Sequence, residues 1–211
     1  MATKKPAAKK PATKKPAANR KLTPRLPAIA EQDLTSRQRE LMEAIRSGPR
    51  GKVSQGGPFG VYLHAPDYGD LVQRLGAHCR FNTAVAPRLS EFAILVIARL
   101  WRAQYEWHAH KVHGERAGVL PATIADLKSG RSPRKVPKDE RAIYDFIVEL
   151  HKTRRVSERT YARVHAFLGN AGMVELVGII GYYTLVAMTL NVFNVPVPAD
   201  VTPPFAEPVS R

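Results

Sequence analysis

Glu106 and His110 stand four residues apart within Trp101 to Gly118, a stretch rich in polar, aromatic and histidine residues. On a helix the two share a face, so the carboxylate can hold the imidazole in one tautomer or stabilise its protonated form. The stretch follows Phe92 to Leu100, which is almost continuously apolar. Ionisable groups set beside such a segment lose water, and desolvation is what moves pKa values into the range of acid/base catalysis. Glu91 heads the apolar segment. On one straight helix it would lie about 22 Å from Glu106 at 1.5 Å per residue, so it joins the pair only if the chain turns near Trp101 to Ala103. A structural or surface ion pair is the alternative reading of Glu106 with His110.

Three histidines, His108, His110 and His113, lie within six residues alongside Glu106. Glu106, His110 and His113 can converge on one side of a helix while His108 points elsewhere, but the spacing matches no standard zinc signature. No metal is therefore expected. A carboxylate substrate needs cations, and Arg88, Arg99 and Arg102 flank the apolar segment; solvated side chains or helix-end contacts are the other reading of these arginines. Trp107 and Tyr105 read as packing or pocket-wall aromatics. The single Cys79 excludes an intramolecular disulfide and any dithiol chemistry within one chain. With no secretory signal near the N-terminus, a cytoplasmic location is expected.

The elements that must position these residues are helical, because no period-2 strand with a hairpin turn occurs. Thr35 and Gln38 fit a capping box that opens a helix with Leu41, Met42 and Ile45 inward, ending at Gly48-Pro49. A loop is expected from Gly51 to Pro66, then a helix over about 67–80 with Leu71, Leu75 and Cys79 on one face and Cys79 in the core. Pro87 opens the buried apolar helix. A short helix at Pro121 to Lys128 and a basic loop at Gly130 to Lys138 follow. The next helix begins at Asp139, with Ile143, Phe146, Ile147 and Leu150 inward. Ser157 caps another, with Tyr161, Val164 and Leu168 inward. Met173 to Val195 is long and apolar, but it holds Glu175, Asn191 and Asn194. It reads as a core or oligomer-interface helix rather than a membrane span. The fold expected is an all-α bundle of about seven helices.

The pattern Glu-x11-Ala-x2-Glu-x3-His, at Glu91, Ala103, Glu106 and His110, resembles the alkylhydroperoxidase-D-type motif with both cysteines replaced. Glu106 to His110, followed by Gly118-Val119-Leu120-Pro121, also resembles the carboxymuconolactone decarboxylase branch of the same superfamily. Gly57-Pro58-Phe59 with His64 and Pro66, Pro87 to Glu91, and Gly181-Tyr182-Tyr183 with Asn191 and Phe193 carry the resemblance over roughly Leu26 to Val197. It implies the helical fold of that family and assembly as a homo-trimer or homo-hexamer. Peroxidase turnover needs a low-pKa thiolate and a resolving thiol, and neither motif position offers one. A thiol-dependent peroxidase would require an exposed, reactive Cys79. What the resemblance leaves is a cofactor-free decarboxylase or related lyase acting on a small aromatic-derived carboxylate or lactone. Its catalytic residues would be His110, Glu106 and Glu91, and its substrate-binding residues Arg88, Arg102, Trp107 and His64. A catalytically degenerate family member is the alternative of another class, acting as a small-molecule binding protein or associating with nucleic acid through the lysine-rich N-terminal segment.

Residues 1–25 hold nine Lys or Arg and no acid, leaving 24 basic against 18 acidic residues for the remainder of a chain whose net charge is +15. Three five-residue repeats, KKPAA, KKPAT and KKPAA, occupy Lys4 to Ala18. Paired lysines, helix-obstructing prolines and the lack of large apolar residues predict an extended, solvated tail. Its charge suits weak, salt-dependent binding to nucleic acid or another polyanion, or simple solubilisation. The expected organisation is thus a tail over 1–25, a helical domain over 26–198 and a C-terminal extension over 199–211.

Overall fold

A computed structural model describes residues 23–206, so the repeats and the last five residues lie outside the described residues. Eight α-helices and no strand occur among those described: α1 (Ser36–Ser47), α2 (Pro58–Tyr62), α3 (Pro66–Phe81), α4 (Pro87–Leu100), α5 (Gln104–Arg116), α6 (Pro121–Ser129), α7 (Lys138–Thr153) and α8 (Glu158–Val192). The fold is all-α.

Local chemistry sets many of the boundaries. The Thr35 side chain accepts from the Gln38 amide while the Gln38 side chain accepts from the Thr35 amide, which satisfies two donors at the start of α1. Proline occupies the first turn of α2, α3, α4 and α6, where its missing N–H costs nothing. Ser157 accepts from the Thr160 amide and caps α8.

The organising element is α4. Every residue from Leu89 to Ala98 is buried, and α5, α7 and α8 pack around it. A helix apolar all round can be stable only when it is enclosed. Its buried length therefore dictates that Ser90 and Glu91 enter the interior with their neighbours.

The structure departs from the periodicity in four places. Gly57 takes a φ of 64° and launches α2 inside what the sequence presents as a loop. On α3 the buried side is Gly69, Val72, Gln73, Gly76 and Cys79, while Leu71 and Leu75 are 62% and 51% exposed. The glycines are the reason: a side without Cβ atoms lets α3 approach Tyr62, Leu41 and Tyr182 more closely than its leucine side could. Tyr161 is exposed beside a fully buried Val164. Finally, the two expected C-terminal helices form one element, α8, interrupted at Gly169 with φ 61°. This element is long and apolar enough to cross a membrane, yet half of its most apolar window is buried inside the protein.

Gly76 gives the first quantitative test. A Cβ there would collide with the Tyr182 hydroxyl and lie 2.8 Å from Arg50 Nη2. Gly76→Ala should destabilise the fold by about 1–3 kcal/mol, the usual cost of overpacking, read as a fall in the midpoint of urea unfolding. An unchanged midpoint would mean that Tyr182 can retreat without loss.

The C-terminal segment is docked onto the domain, which extends the folded unit past residue 198. Phe205 is buried, with its ring 5.2 Å from that of Trp107 at an interplanar angle of 69°. The Gln104 side chain holds it from both sides, donating to the Phe205 carbonyl at 2.7 Å and accepting from its amide at 2.9 Å. At the other end of the chain, the Arg25 amide donates to the Phe193 carbonyl at 3.1 Å.

Candidate functional site

The turn between α4 and α5 brings distant residues of the sequence together. After Leu100 the chain passes through Arg102, whose φ is 52°, and re-enters a helix at Gln104. Ala103 is buried in this turn, and α5 runs back against α4. Glu91 Oε2 consequently lies 2.8 Å from His110 Nδ1, in hydrogen-bonding contact, with both residues 8% exposed. On its other side Glu91 Oε1 is 3.8 Å from Arg80 Nε. Burial pushes the Glu91 carboxyl up, but His110 and then Arg80 outweigh it and hold the group below the usual glutamate range.

This pairing replaces the one suggested by spacing. Glu106 and His110 are one turn apart on α5, yet they do not pair: both Glu106 carboxylate oxygens are buried with no hydrogen-bond partner. Glu106 is 2% exposed, and burial alone drives its carboxyl well above the ordinary value. Its surroundings explain why. It acts electrostatically on the hydroxyls of Tyr62, Tyr182 and Tyr183, and its oxygens have no hydrogen-bonding cation among the described residues. Glu91 is the group that orients the imidazole, and Glu106 is a separate acid whose burial favours its protonated form.

Tyr183 connects the two groups. Its ring meets His110 edge-on, with centroids 4.9 Å apart at 85°, and Tyr182 follows at 5.1 Å and 88°. Burial raises the Tyr183 hydroxyl far above the usual phenol value and the Tyr182 hydroxyl to about 12. Beyond Tyr182 lies Arg50, half-buried, with its guanidinium 5.6 Å from the Phe59 ring. Arg50 donates from Nη1 to Gln73 Oε1 at 3.5 Å, a neutral partner rather than a carboxylate. His113, toward the rim, has its ring centroid 5.9 Å from that of His110 and its pKa lowered by burial and then by Arg80.

The four residues expected to bind substrate are placed elsewhere or are already engaged. Arg88 forms an ion pair with Asp139 at 2.5 Å and is bonded to the buried Glu140 as well. That pairing neutralises Glu140, so Arg88 is a structural cation rather than one awaiting a ligand. Arg102 is exposed and donates to the Ala206 carbonyl. Trp107 is 1% exposed and packs on Phe205. His64 is exposed, with Nε2 3.1 Å from the Pro27 carbonyl. The sequence pattern misses Arg50, Gln73, Arg80, Tyr182 and Tyr183 as site residues. The near-invisible signals were Gly76, which admits Tyr182, and a buried glutamine on α3.

No group of His, Cys, Asp and Glu suited to a metal ion occurs among the described residues. Cys79 is 2% exposed, and burial pushes its thiol up, the opposite of what a peroxidatic thiolate requires. The native protein should therefore react with a thiol-selective disulfide reagent at least about tenfold more slowly than the urea-unfolded chain, measured by thiolate release. Equal rates would restore Cys79 as a candidate nucleophile.

No family model matches the sequence, and no curated protein does. Solved structures do match in shape. The alkylhydroperoxidase AhpD core of an uncharacterized peroxidase-related protein from Ralstonia eutropha JMP134 superposes with a TM-score of 0.69 at 13% identity, covering 84% of this chain and 93% of that one. An uncharacterized peroxidase-related protein from Silicibacter sp. TM1040 gives 0.64 at 11%, covering 90% and 97%. A protein of unknown function from Agrobacterium tumefaciens, linked by its name to AhpD antioxidant defence, gives 0.59 at 14%, covering 68% and 99%. The chain has the AhpD-like fold.

Proposed function

We propose that this chain uses the AhpD-like fold for thiol-free acid/base chemistry, as a cofactor-free decarboxylase or related lyase acting on a small aromatic-derived carboxylic acid or lactone. The observation that carries the reading is the buried Glu91–His110 hydrogen bond, with a second buried carboxyl, Glu106, one turn away from His110 on α5. In such a reaction the C–CO₂ bond breaks, its electron pair passes into a dienolate, and a proton must then reach carbon. Glu91 fixes Nδ1 of His110, which leaves Nε2 to exchange the proton. Burial favours the protonated form of Glu106, and in that form it can donate a hydrogen bond to the developing negative charge. Arg50, whose partner is a neutral amide, takes the role of substrate-carboxylate cation in place of Arg88 and Arg102.

A second reading, a degenerate binding protein without turnover, is favoured by one fact. The positions that the resemblance gives to thiols hold Ala103 and Glu106, so redox chemistry is lost whether or not acid/base chemistry replaced it. Assembly as a homo-trimer or homo-hexamer belongs to the same proposal. Apolar side chains exposed on two helices in mutual contact, Leu71 and Leu75 on α3 and Val174 and Val177 on α8, support it. A cytoplasmic location and weak polyanion binding by the lysine-rich tail complete the proposal.

The test is a thermal-shift screen of the full chain against aromatic-catabolism acids and lactones, followed by carbon dioxide release for each compound that binds. Release that His110→Ala abolishes supports the lyase. Binding without release in either protein discards it for the binding-protein reading.

A further inference from the structure

Away from the Glu91–His110 pair, the loop before α7, the first turns of α7 and the first half of α8 enclose an open groove of about 830 Å³. Arg134, Lys138, Arg141 and Arg163 line it, over an apolar floor of Val136 and Ala142, with Phe167 at one edge. One acid, Asp139, also contributes, but its carboxylate is held by Arg88. Arg141 and Arg163 share Asp145, at 3.6 and 2.8 Å. Arg134 and Lys138 are exposed, and no ion pair joins either to an acid among the described residues.

The loop that carries these two cations is built, not loose. Asp126 accepts from Arg131 Nη2 at 2.9 Å and from the Arg134 backbone amide at 3.3 Å, which fixes the turn that carries the exposed Arg134. On α8, Arg159, Arg163 and Phe167 recur at four-residue intervals and so share one face. The groove is thus a row of cations beside a flat aromatic edge that is 41% exposed.

We infer that this groove binds single-stranded nucleic acid, with phosphates on Arg134 and Lys138 and a base stacked on Phe167. The chemistry favours this partner. Cations tracking a backbone together with an aromatic face are the two components of sequence-tolerant single-strand binding. An acidic peptide would use the cations but has no need of the aromatic edge. The groove also supplies what the lysine-rich tail lacks, since no aromatic residue occurs in residues 1–25.

The measurement is fluorescence anisotropy of a labelled oligodeoxythymidylate of about 15 nucleotides with the full chain, across a salt series. Replacing both cations, Arg134→Gln with Lys138→Gln, should weaken binding about tenfold or more and reduce the slope of log affinity against log salt by about 1.4, two phosphates' worth for a single strand. Phe167→Ala should weaken binding about tenfold and leave the slope unchanged, since stacking releases no counterions. All three residues are solvent-exposed in part, and circular dichroism would verify that the variants fold. Absence of binding by the wild-type chain overturns the inference. So does wild-type affinity in both variants, which would place all binding in the tail, and so does displacement by polyglutamate at equal charge concentration.

Discussion

His110→Ala should cut turnover of whichever carboxylate the protein accepts by about 10²–10⁴-fold, the range for loss of a positioned proton-transfer group. Glu91→Gln should cost nearly as much, although it preserves size and burial. The glutamine amide can offer an N–H to Nδ1 where the carboxylate accepts one, which stabilises the tautomer with its proton on the wrong nitrogen. The pH dependence carries the same signature. Burial opposes ionisation of Glu91, but His110 and Arg80 hold its carboxyl below the ordinary value. The acid limb of kcat/KM should therefore fall below the usual glutamate range, and Arg80→Gln should move it upward. For stability the sign is the same: a depressed folded-state pKa contributes stability above the unfolded value that is lost as pH falls through the folded one. If His110→Ala retains kcat/KM within about twofold of wild type, when about 10²-fold is the least expected, the pair has no part in the chemistry.

Glu106→Gln should make the protein more stable at pH 8 and leave it nearly unchanged at pH 4. Here the linkage runs the other way, because burial raises the folded-state pKa. Above the unfolded value the unfolded chain releases its proton while the folded chain keeps it, so wild-type stability declines as pH rises, by up to about 1.4 kcal/mol per pH unit. The amide cannot ionise, so the variant should lack that component of the slope. Urea-unfolding midpoints of both proteins across pH 4–8 would measure it. Parallel curves would show that Glu106 has found a partner or reaches water. If Glu106 also serves as the acid of the proposed reaction, the stabilised variant should be the less active one, a trade expected of residues retained for function.

The sequence makes the helical frame legible because the frame depends on short-range chemistry. The Thr35–Gln38 box, the prolines at four helix starts and the apolar α4 can all be read within a few residues of one another. The side of α3 that faces inward cannot be read this way. Leu71 and Leu75 dominate its hydrophobic pattern, but two glycines decide the packing by what they admit. The site divides along the same line. Spacing puts Glu106 and His110 on one helix, yet spacing carries no information on which direction each side chain leaves it. That depends on the turn at Arg102, which sends His110 to Glu91 and Glu106 among the tyrosines. Arg50, Gln73, Tyr182 and Tyr183 converge from α8, α3 and the loop after α1, a convergence that no local pattern encodes. The Glu-x11-Ala-x2-Glu-x3-His motif did contain both carboxylates and the histidine, but it implied nothing about which carboxylate pairs.

The docking of Phe205 between Trp107 and the Gln104 amide also sets a schedule for biosynthesis. His110 leaves the ribosome before the tyrosines of α8, which precede Phe205 in turn. Phe205 follows His110 by 95 residues, or about 5–20 s at ordinary translation rates. Until α8 has been made, Tyr182 and Tyr183 are missing from the surroundings of Glu106. The burial that raises the Glu106 carboxyl is thus complete only after α8 has been made and packed against α5.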